Sequence, residues 1–156
     1  MKIGDLTWMA ENLNYETETS ACPDGDSRNC KRLGRLYTWA EAKTVCPDGW
    51  RLPTKEDFEA LVVAQSRADL ALKSRDGWFK KGNGSDALGF RALPAGYRGA
   101  DGKFNGIGGY AYFWSATEDA ENRESNAFYL FLSFSSEAAS INAFAKEDYR
   151  SVRCVR

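Results

Sequence analysis

Apolar and polar residues alternate most regularly late in the chain. Phe128, Leu130, Leu132 and Phe134 interleave with Tyr129, Phe131, Ser133 and Ser135, a period of two that predicts a β-strand with two distinct faces. A turn at Ser135-Ser136-Glu137 leads to a partner strand over Ser140–Ala145. Tyr149–Val155 reads as a closing strand with Val152 and Cys154 on one face. Earlier the period lengthens. Thr38-Trp39-Ala40-Glu41 is a capping box, in which hydroxyl and carboxylate each satisfy an orphan amide at a helix start. Leu36, Trp39, Ala42 and Cys46 then share a face until Cys46-Pro47-Asp48-Gly49 stops the helix. A second helix begins after Pro53-Thr54, with Glu56 and Asp57 in its first turn and Phe58, Leu61, Val62 and Gln65 at helical spacing. Gly4–Tyr15 reads as a short strand region and Glu16–Lys31 as a polar, turn-rich surface loop.

Two short early helices followed by an antiparallel C-terminal sheet predict an α+β fold. Between them, Lys73–Tyr112 is punctuated by ten glycines, from Gly77 to Gly109, and expected to carry short strands such as Phe90–Leu93. Long irregular stretches in a folded domain are usually functional or disordered. The aromatics Trp78, Phe79, Phe90, Tyr97, Phe104, Tyr110 and Tyr112 argue against disorder here.

At 156 residues the chain suits one domain over residues 1–156. Its 21 basic and 22 acidic side chains nearly cancel. Without a basic stripe to displace counterions, nucleic acid is not an expected partner. Without a long apolar run, membrane insertion is not expected either. Met1-Lys2-Ile3-Gly4-Asp5 contains no apolar leader core, so the chain is read as the mature part of a longer protein. Histidine is absent, which removes the commonest metal ligand and general base.

The four cysteines, Cys22, Cys30, Cys46 and Cys154, include no Cys-x-x-Cys pair, which argues against zinc. Read as two disulfides they imply an oxidising compartment; the alternative is four reduced thiols. Of three pairings, Cys22–Cys30 and Cys46–Cys154 are favoured. The first closes a hydrophilic loop and the second ties an early helix to the last strand. Loop-closure entropy assigns them roughly 2–3 and roughly 4–5 kcal/mol.

Trp78, Tyr97, Arg98, Tyr110 and Tyr112 are the candidate ligand-binding residues. Flat rings stack on sugars, and a guanidinium bonds hydroxyls; the same side chains suit a protein partner. Asp101 and Asn105, with Asn83 and Asp86 nearby, form a weaker candidate for structural calcium, and turn chemistry explains them at least as well. No cofactor is otherwise expected. Catalysis is not expected: a glycosidase needs two carboxylates across a cleft, and Glu118, Asp119 and Glu121 cannot be placed so by sequence.

Several ordered stretches resemble a known family. They are Trp8-Met9-Ala10-Glu11-Asn12-Leu13-Asn14, Gly34–Ala42, Cys46–Thr54, Leu93-Pro94-Ala95-Gly96, Phe113-Trp114-Ser115 and Ser151-Val152-Arg153-Cys154-Val155. Together they are similar to the Fibrobacter succinogenes major paralogous domain, from about residue 3 to the end. That resemblance implies a secreted or surface protein of bacteria and places Trp39, Trp50 and Trp114 in the core. It also implies a distant likeness to C-type lectin-like domains and formylglycine-generating enzymes, in which a disulfide joins the first helix to the last strand. The Glu-Pro-Asn and Trp-Asn-Asp calcium motifs of sugar-binding lectins are missing. The expected function is an extracellular binding module for glycan or protein. The alternatives are a structural or assembly module without a small ligand, or an enzyme of the formylglycine-generating or glycosidase type.

Overall fold

Both helix starts read from capping residues recur in the computed structural model of the chain, which describes residues 1–63 and 67–156. Thr38 and Glu41 form the reciprocal capping box, but the helix it opens is a single turn, Trp39–Ala42. At Thr54 the amide donates to Asp57 Oδ2 (2.8 Å), while Asp57 N donates back to Thr54 Oγ1 (3.2 Å), and helix Lys55–Val63 follows. Gln65, expected on the same face, lies outside the described residues.

Two further helices left no mark in the periodicity. Ser27–Leu33 begins inside the stretch read as a surface loop and runs two residues past it, started by the Asp26 carboxylate accepting from Arg28 N and anchored by buried Cys30 and Leu33. Ala68–Leu72 follows Arg67. In chain order the helices are α1 (Ser27–Leu33), α2 (Trp39–Ala42), α3 (Lys55–Val63) and α4 (Ala68–Leu72). The expectation of two early helices is corrected accordingly. A capped seven-residue helix with two inward positions is too short to leave a period.

The strands are β1 (Lys2–Ile3), β2 (Leu6–Thr7), β3 (Leu36–Tyr37), β4 (Tyr97–Arg98), β5 (Phe104–Asn105), β6 (Tyr110–Glu118), β7 (Asn126–Ser133), β8 (Ser140–Ala145) and β9 (Arg150–Ser151). Five of them form one sheet in the order β3-β9-β6-β7-β8. The architecture is α+β. The sheet is mixed rather than antiparallel throughout, because β9 runs parallel to β6 with Ser151 beside Phe113. No strand forms over Phe90–Leu93; Ala92 makes only an isolated bridge to Lys73, and the strands of the glycine-rich region are β4 and β5.

The two faces of the sheet are treated differently. Ala111, Phe113, Leu130 and Leu132 point into the main core with Phe58 and Leu61 of α3, Trp8 and Phe90. The opposite face is covered at one end, where Trp39 and Ala42 of α2 pack on Trp114 and Ala127. The indole N–H groups of Trp39 and Trp114 donate to the Ser115 and Tyr37 carbonyls at 2.8 Å, so both buried rings are satisfied.

Residues 150–156 thread through the middle of the molecule. Thr7 and Arg156 exchange two backbone hydrogen bonds, as do Arg51 and Val155, and Cys154 and Val152 accept from Met9 and Leu13. Both favoured disulfides are present, Cys22–Cys30 and Cys46–Cys154, the latter closing 108 residues of sequence. Gly34 allows the N-terminal segment to lie close: its φ is +77°, and a Cβ there would meet Asn12 Cβ at 2.6 Å.

The two cross-links act on loops of very different length. Replacing Cys46 and Cys154 with Ala is expected to lower unfolding free energy by about 4–5 kcal/mol, against about 2–3 kcal/mol for the Cys22/Cys30 double variant. Urea titrations monitored by tryptophan fluorescence compare them, and equal losses would reject the loop-length account.

Candidate functional site

Alternation along β6 and β7 puts Tyr110, Tyr112 and Trp114 on the same face as Tyr129 and Phe131, with Tyr112 opposite Phe131 and Trp114 opposite Tyr129. Tyr97 of β4 leans onto this face, its ring centroid 5.2 Å from that of Tyr112. The rings form an unbroken run. Phe79 meets Phe134 (6.4 Å), Phe134 meets Tyr110 (5.9 Å), Tyr110 stacks on Phe131 (5.7 Å), and Phe131 meets Tyr112 (5.1 Å). From Tyr112 the run continues to Tyr129 (5.6 Å) and on to buried Trp114 (6.3 Å). Tyr97, Tyr110, Tyr112, Tyr129, Phe131 and Phe134 are all half-buried, whereas Phe79 at one end is 54% exposed and Phe144, on the same face of β8, is 57% exposed. Gly82 seats the Phe79 turn, since a Cβ there would meet the Phe134 carbonyl at 2.6 Å.

Beneath the rings lies a cation. Arg150 of β9 is 2% exposed, and its guanidinium stands 4.2 Å from the Trp114 ring and 4.4 Å from that of Tyr129, with Tyr112 and Tyr97 farther off (5.8 and 6.0 Å). It donates to Asp148 Oδ2 (3.0 Å) and to the Ala145 carbonyl (3.2 Å). The other carboxylate oxygen of Asp148 accepts from Ala100 N (3.2 Å), which ties the β4–β5 hairpin, and so Tyr97, to the sheet. Burial of an ion pair costs solvation, and attraction at contact distance offsets part of that cost. The pair therefore fixes geometry more than it adds stability.

Burial pushes the phenols of Tyr112 and Tyr129 above their ordinary range, and Arg150 opposes the shift without reversing it. Tyr37, buried under α2 and donating to the Tyr15 carbonyl (2.7 Å), is raised for the same reason. Tyr112 and Tyr129 thus present neutral O–H groups at physiological pH.

Of the five candidate residues, Tyr97, Tyr110 and Tyr112 come together in this strip. Arg98 leaves it: neighbours on a strand point to opposite faces, and its guanidinium stacks on Tyr149 (4.7 Å) and Phe104 (5.8 Å) instead. Trp78 is core, 6% exposed, with its indole N–H shared between Ser74 Oγ (3.0 Å) and the Ala92 carbonyl (3.2 Å). It offers no ring face to a ligand. Tyr129, Phe131, Phe134 and Arg150 were not among the candidates. The alternation over 128–135 did carry the signal for Tyr129 and Phe131, which stand opposite to Leu130 and Leu132. Three of the four calcium candidates use a side-chain oxygen in a turn: Asn83 accepts from Trp78 N, Asp86 from Arg91 N and Asp101 from Lys103 N, while the Asn105 amide donates to the Lys103 carbonyl (3.4 Å). Among the described residues no group of three or more His, Cys, Asp or Glu side chains converges as a metal site.

A family model described as the Fibrobacter succinogenes major domain matches residues 1–156. No match was found among curated proteins or among solved structures.

A phenol whose folded pKa is raised keeps its stability contribution below the unfolded value near 10 and loses it as pH climbs toward the folded one. Three of the seven tyrosines, Tyr37, Tyr112 and Tyr129, are expected to resist ionisation in the native protein. Absorbance at alkaline pH should show fewer than seven phenolates before unfolding, and the remainder in one step with it. Seven independent ionisations below the unfolding pH would contradict the burial of these rings.

Proposed function

The chain belongs to the Fibrobacter succinogenes major domain family, and from that premise we propose that it is an extracellular or cell-surface binding module, its aromatic sheet face engaging a glycan or polysaccharide. One observation carries this reading: the unbroken run of rings from exposed Phe79 to half-buried Tyr129, most of them on the sheet face opposite the main core, which α2 covers only at the Trp114 end. Aromatic rings lose little conformational freedom on binding and present apolar area with phenolic donors, which matches the alternating apolar and hydroxyl faces of a sugar chain. Two disulfides suit an oxidising environment, and among the described residues no helix is long and apolar enough to cross a membrane. A C-type lectin-like scaffold belongs to the same proposal. It rests on the Cys46–Cys154 link to the closing segment just after β9 and on the long irregular segment between helices and sheet. We read the module as non-catalytic; all four cysteines are in disulfides, so no thiol is available for chemistry of the formylglycine-generating kind.

The assembly alternative has its own support. Strand β8 (Ser140–Ala145) lies at the sheet edge, carries no charged residue and exposes Phe144, and such edges favour pairing with another chain.

A glycan and polysaccharide array with the purified chain tests the reading directly. Phe79→Ala and Tyr110→Ala should each weaken retention about tenfold, roughly 1.4 kcal/mol, without changing the thermal transition by more than a few degrees. If no glycan is retained and a protein partner is captured through the same residues, the sugar reading falls and the protein-binding one stands. If the substitutions are silent against every ligand, the aromatic face is structural.

A further inference from the structure

The glycine-rich region builds a second feature that shares no residue with the ring strip. Between α1, the segment before it in sequence and the turn at 86–92 lies a cleft with two adjoining lobes of about 80 and about 220 Å³. Arg32, Leu33, Arg91 and Leu93 line both lobes. Lys31 adds a third cation, against the carboxylates of Glu11 and Asp76. The Arg91 guanidinium has no hydrogen-bond or ion-pair partner among the described residues. Arg32 has only a long contact to Asn29 Oδ1 (3.4 Å).

The wall that carries Arg91 is held under strain. Its φ is +51°, a left-handed conformation that residues other than glycine, asparagine and aspartate seldom adopt. The turn is clamped from both sides. Asp86 Oδ1 accepts from Arg91 N at 2.7 Å, and buried Arg153 donates to the Phe90 and Arg91 carbonyls. Ala92 is then locked to Leu72 and Ser74 by backbone bonds of 2.8 and 3.0 Å. Strained residues persist where their surroundings over-determine them, and they concentrate at ligand sites. Two of the last four carbonyls of α1, which would repel an anion, are engaged: Leu33 O accepts from Asn12 Nδ2 (2.8 Å) and Cys30 O from Gly34 N (3.0 Å). Arg153, immediately behind this wall, makes no ion pair among the described residues, although the charges of Asp86 and Glu11 act on it.

We infer that this cleft binds an oxyanion, a carboxylate or a sulfate or phosphate ester carried by the ligand, held by Arg91 and Arg32. Two arginines lining one hollow suit the planar or tetrahedral oxygens of such groups, whereas a neutral sugar offers them nothing to neutralise. Arg91 and Arg32 are binding residues, and Arg153 with Asp86 positions Arg91.

Titration calorimetry with galacturonate, inorganic phosphate, sulfate and neutral glucose tests the assignment. At low salt at least one oxyanion should bind with Kd on the order of 1 mM or tighter, and added sodium chloride should weaken it. Binding of galacturonate alone points to a carboxylate ligand, and binding of phosphate or sulfate alone to an ester; both support the site. Arg91→Asn, which tolerates the left-handed backbone, and Arg32→Gln should each weaken binding about tenfold. Arg91→Gly should lose binding while raising the melting temperature, because it removes both the cation and the strain. Should Arg91→Asn lower the melting temperature, Arg32→Gln on the exposed last turn of α1 decides. Phe79→Ala and Tyr110→Ala should leave oxyanion binding unchanged, so failure of the aromatic reading is separable from failure of this one. Absence of binding by all three oxyanions, equal binding of glucose, or unaltered affinity in Arg32→Gln would overturn it.

Discussion

The structure depends on the burial of one extended segment, residues 150–156, between stretches of chain that are far apart in sequence. Its backbone is hydrogen-bonded to the N-terminal segment, to Arg51 and to β3, its cysteine is cross-linked to Cys46, and Ser151 lies beside Phe113 in β6. An interior strand of this kind leaves no unpaired amide only if each neighbour is in register. The same requirement explains Arg153. Its fully buried guanidinium donates to Asn12 Oδ1 and to the Phe90 and Arg91 carbonyls, and it lies against the Phe90 ring at 4.4 Å. Burial lowers its pKa, opposed by the charges of Asp86 and Glu11. A cation whose terminal nitrogens meet carbonyls and an amide, with Nε left without a partner among the described residues and no carboxylate in contact, is expensive to bury. Removing it would strand several acceptors at once, which is how it holds an irregular loop in a single conformation.

Arg150 has a comparable role at the start of the same segment. Its pair with Asp148 is sealed under the rings, and Asp148 also holds Ala100, so one buried contact sets the position of the β4–β5 hairpin and of Tyr97. Cross-strand ring pairs such as Tyr112 with Phe131 stabilise a sheet by roughly 0.2–1 kcal/mol each. The strip therefore belongs to the fold and is a surface at once. Rings already packed against one another lose little further freedom when something docks on them, and such preorganisation lowers the cost of binding.

The two candidate surfaces differ in chemistry and share a support. Phenols and phenyl rings form the sheet face, while Arg32 and Arg91 line the cleft beside α1. Arg150 stands under the first and Arg153 behind the second, close together on one segment. A change in that closing segment would disturb both, whereas a change in the outer residues of either surface should stay local, because no residue belongs to both.

Local rules were legible in the amino-acid order. Thr38 with Glu41, and Thr54 ahead of the acidic first turn Glu56-Asp57, marked helix starts, because caps and first-turn charges act between near neighbours. The alternation over 128–135 marked a strand and sorted its side chains into two sets, and an even number of cysteines in a chain without histidine indicated two cross-links. Helix α1 stayed hidden because seven residues span too few turns to establish a period. Strand β6, the longest, was obscured by the glycines that precede it. Which ring is core and which is surface was decided only by the tertiary structure. Trp78 and Tyr110 sit in equally glycine-rich surroundings, yet α4 and Ala92 close over one while nothing of the helix layer reaches the other. Nothing in the local order marks Arg150 and Arg153 for burial; distant stretches of chain wrap them. Capping and alternation act between near neighbours, so sequence specifies them; burial depends on which remote element arrives, and that is a property of the assembled fold alone.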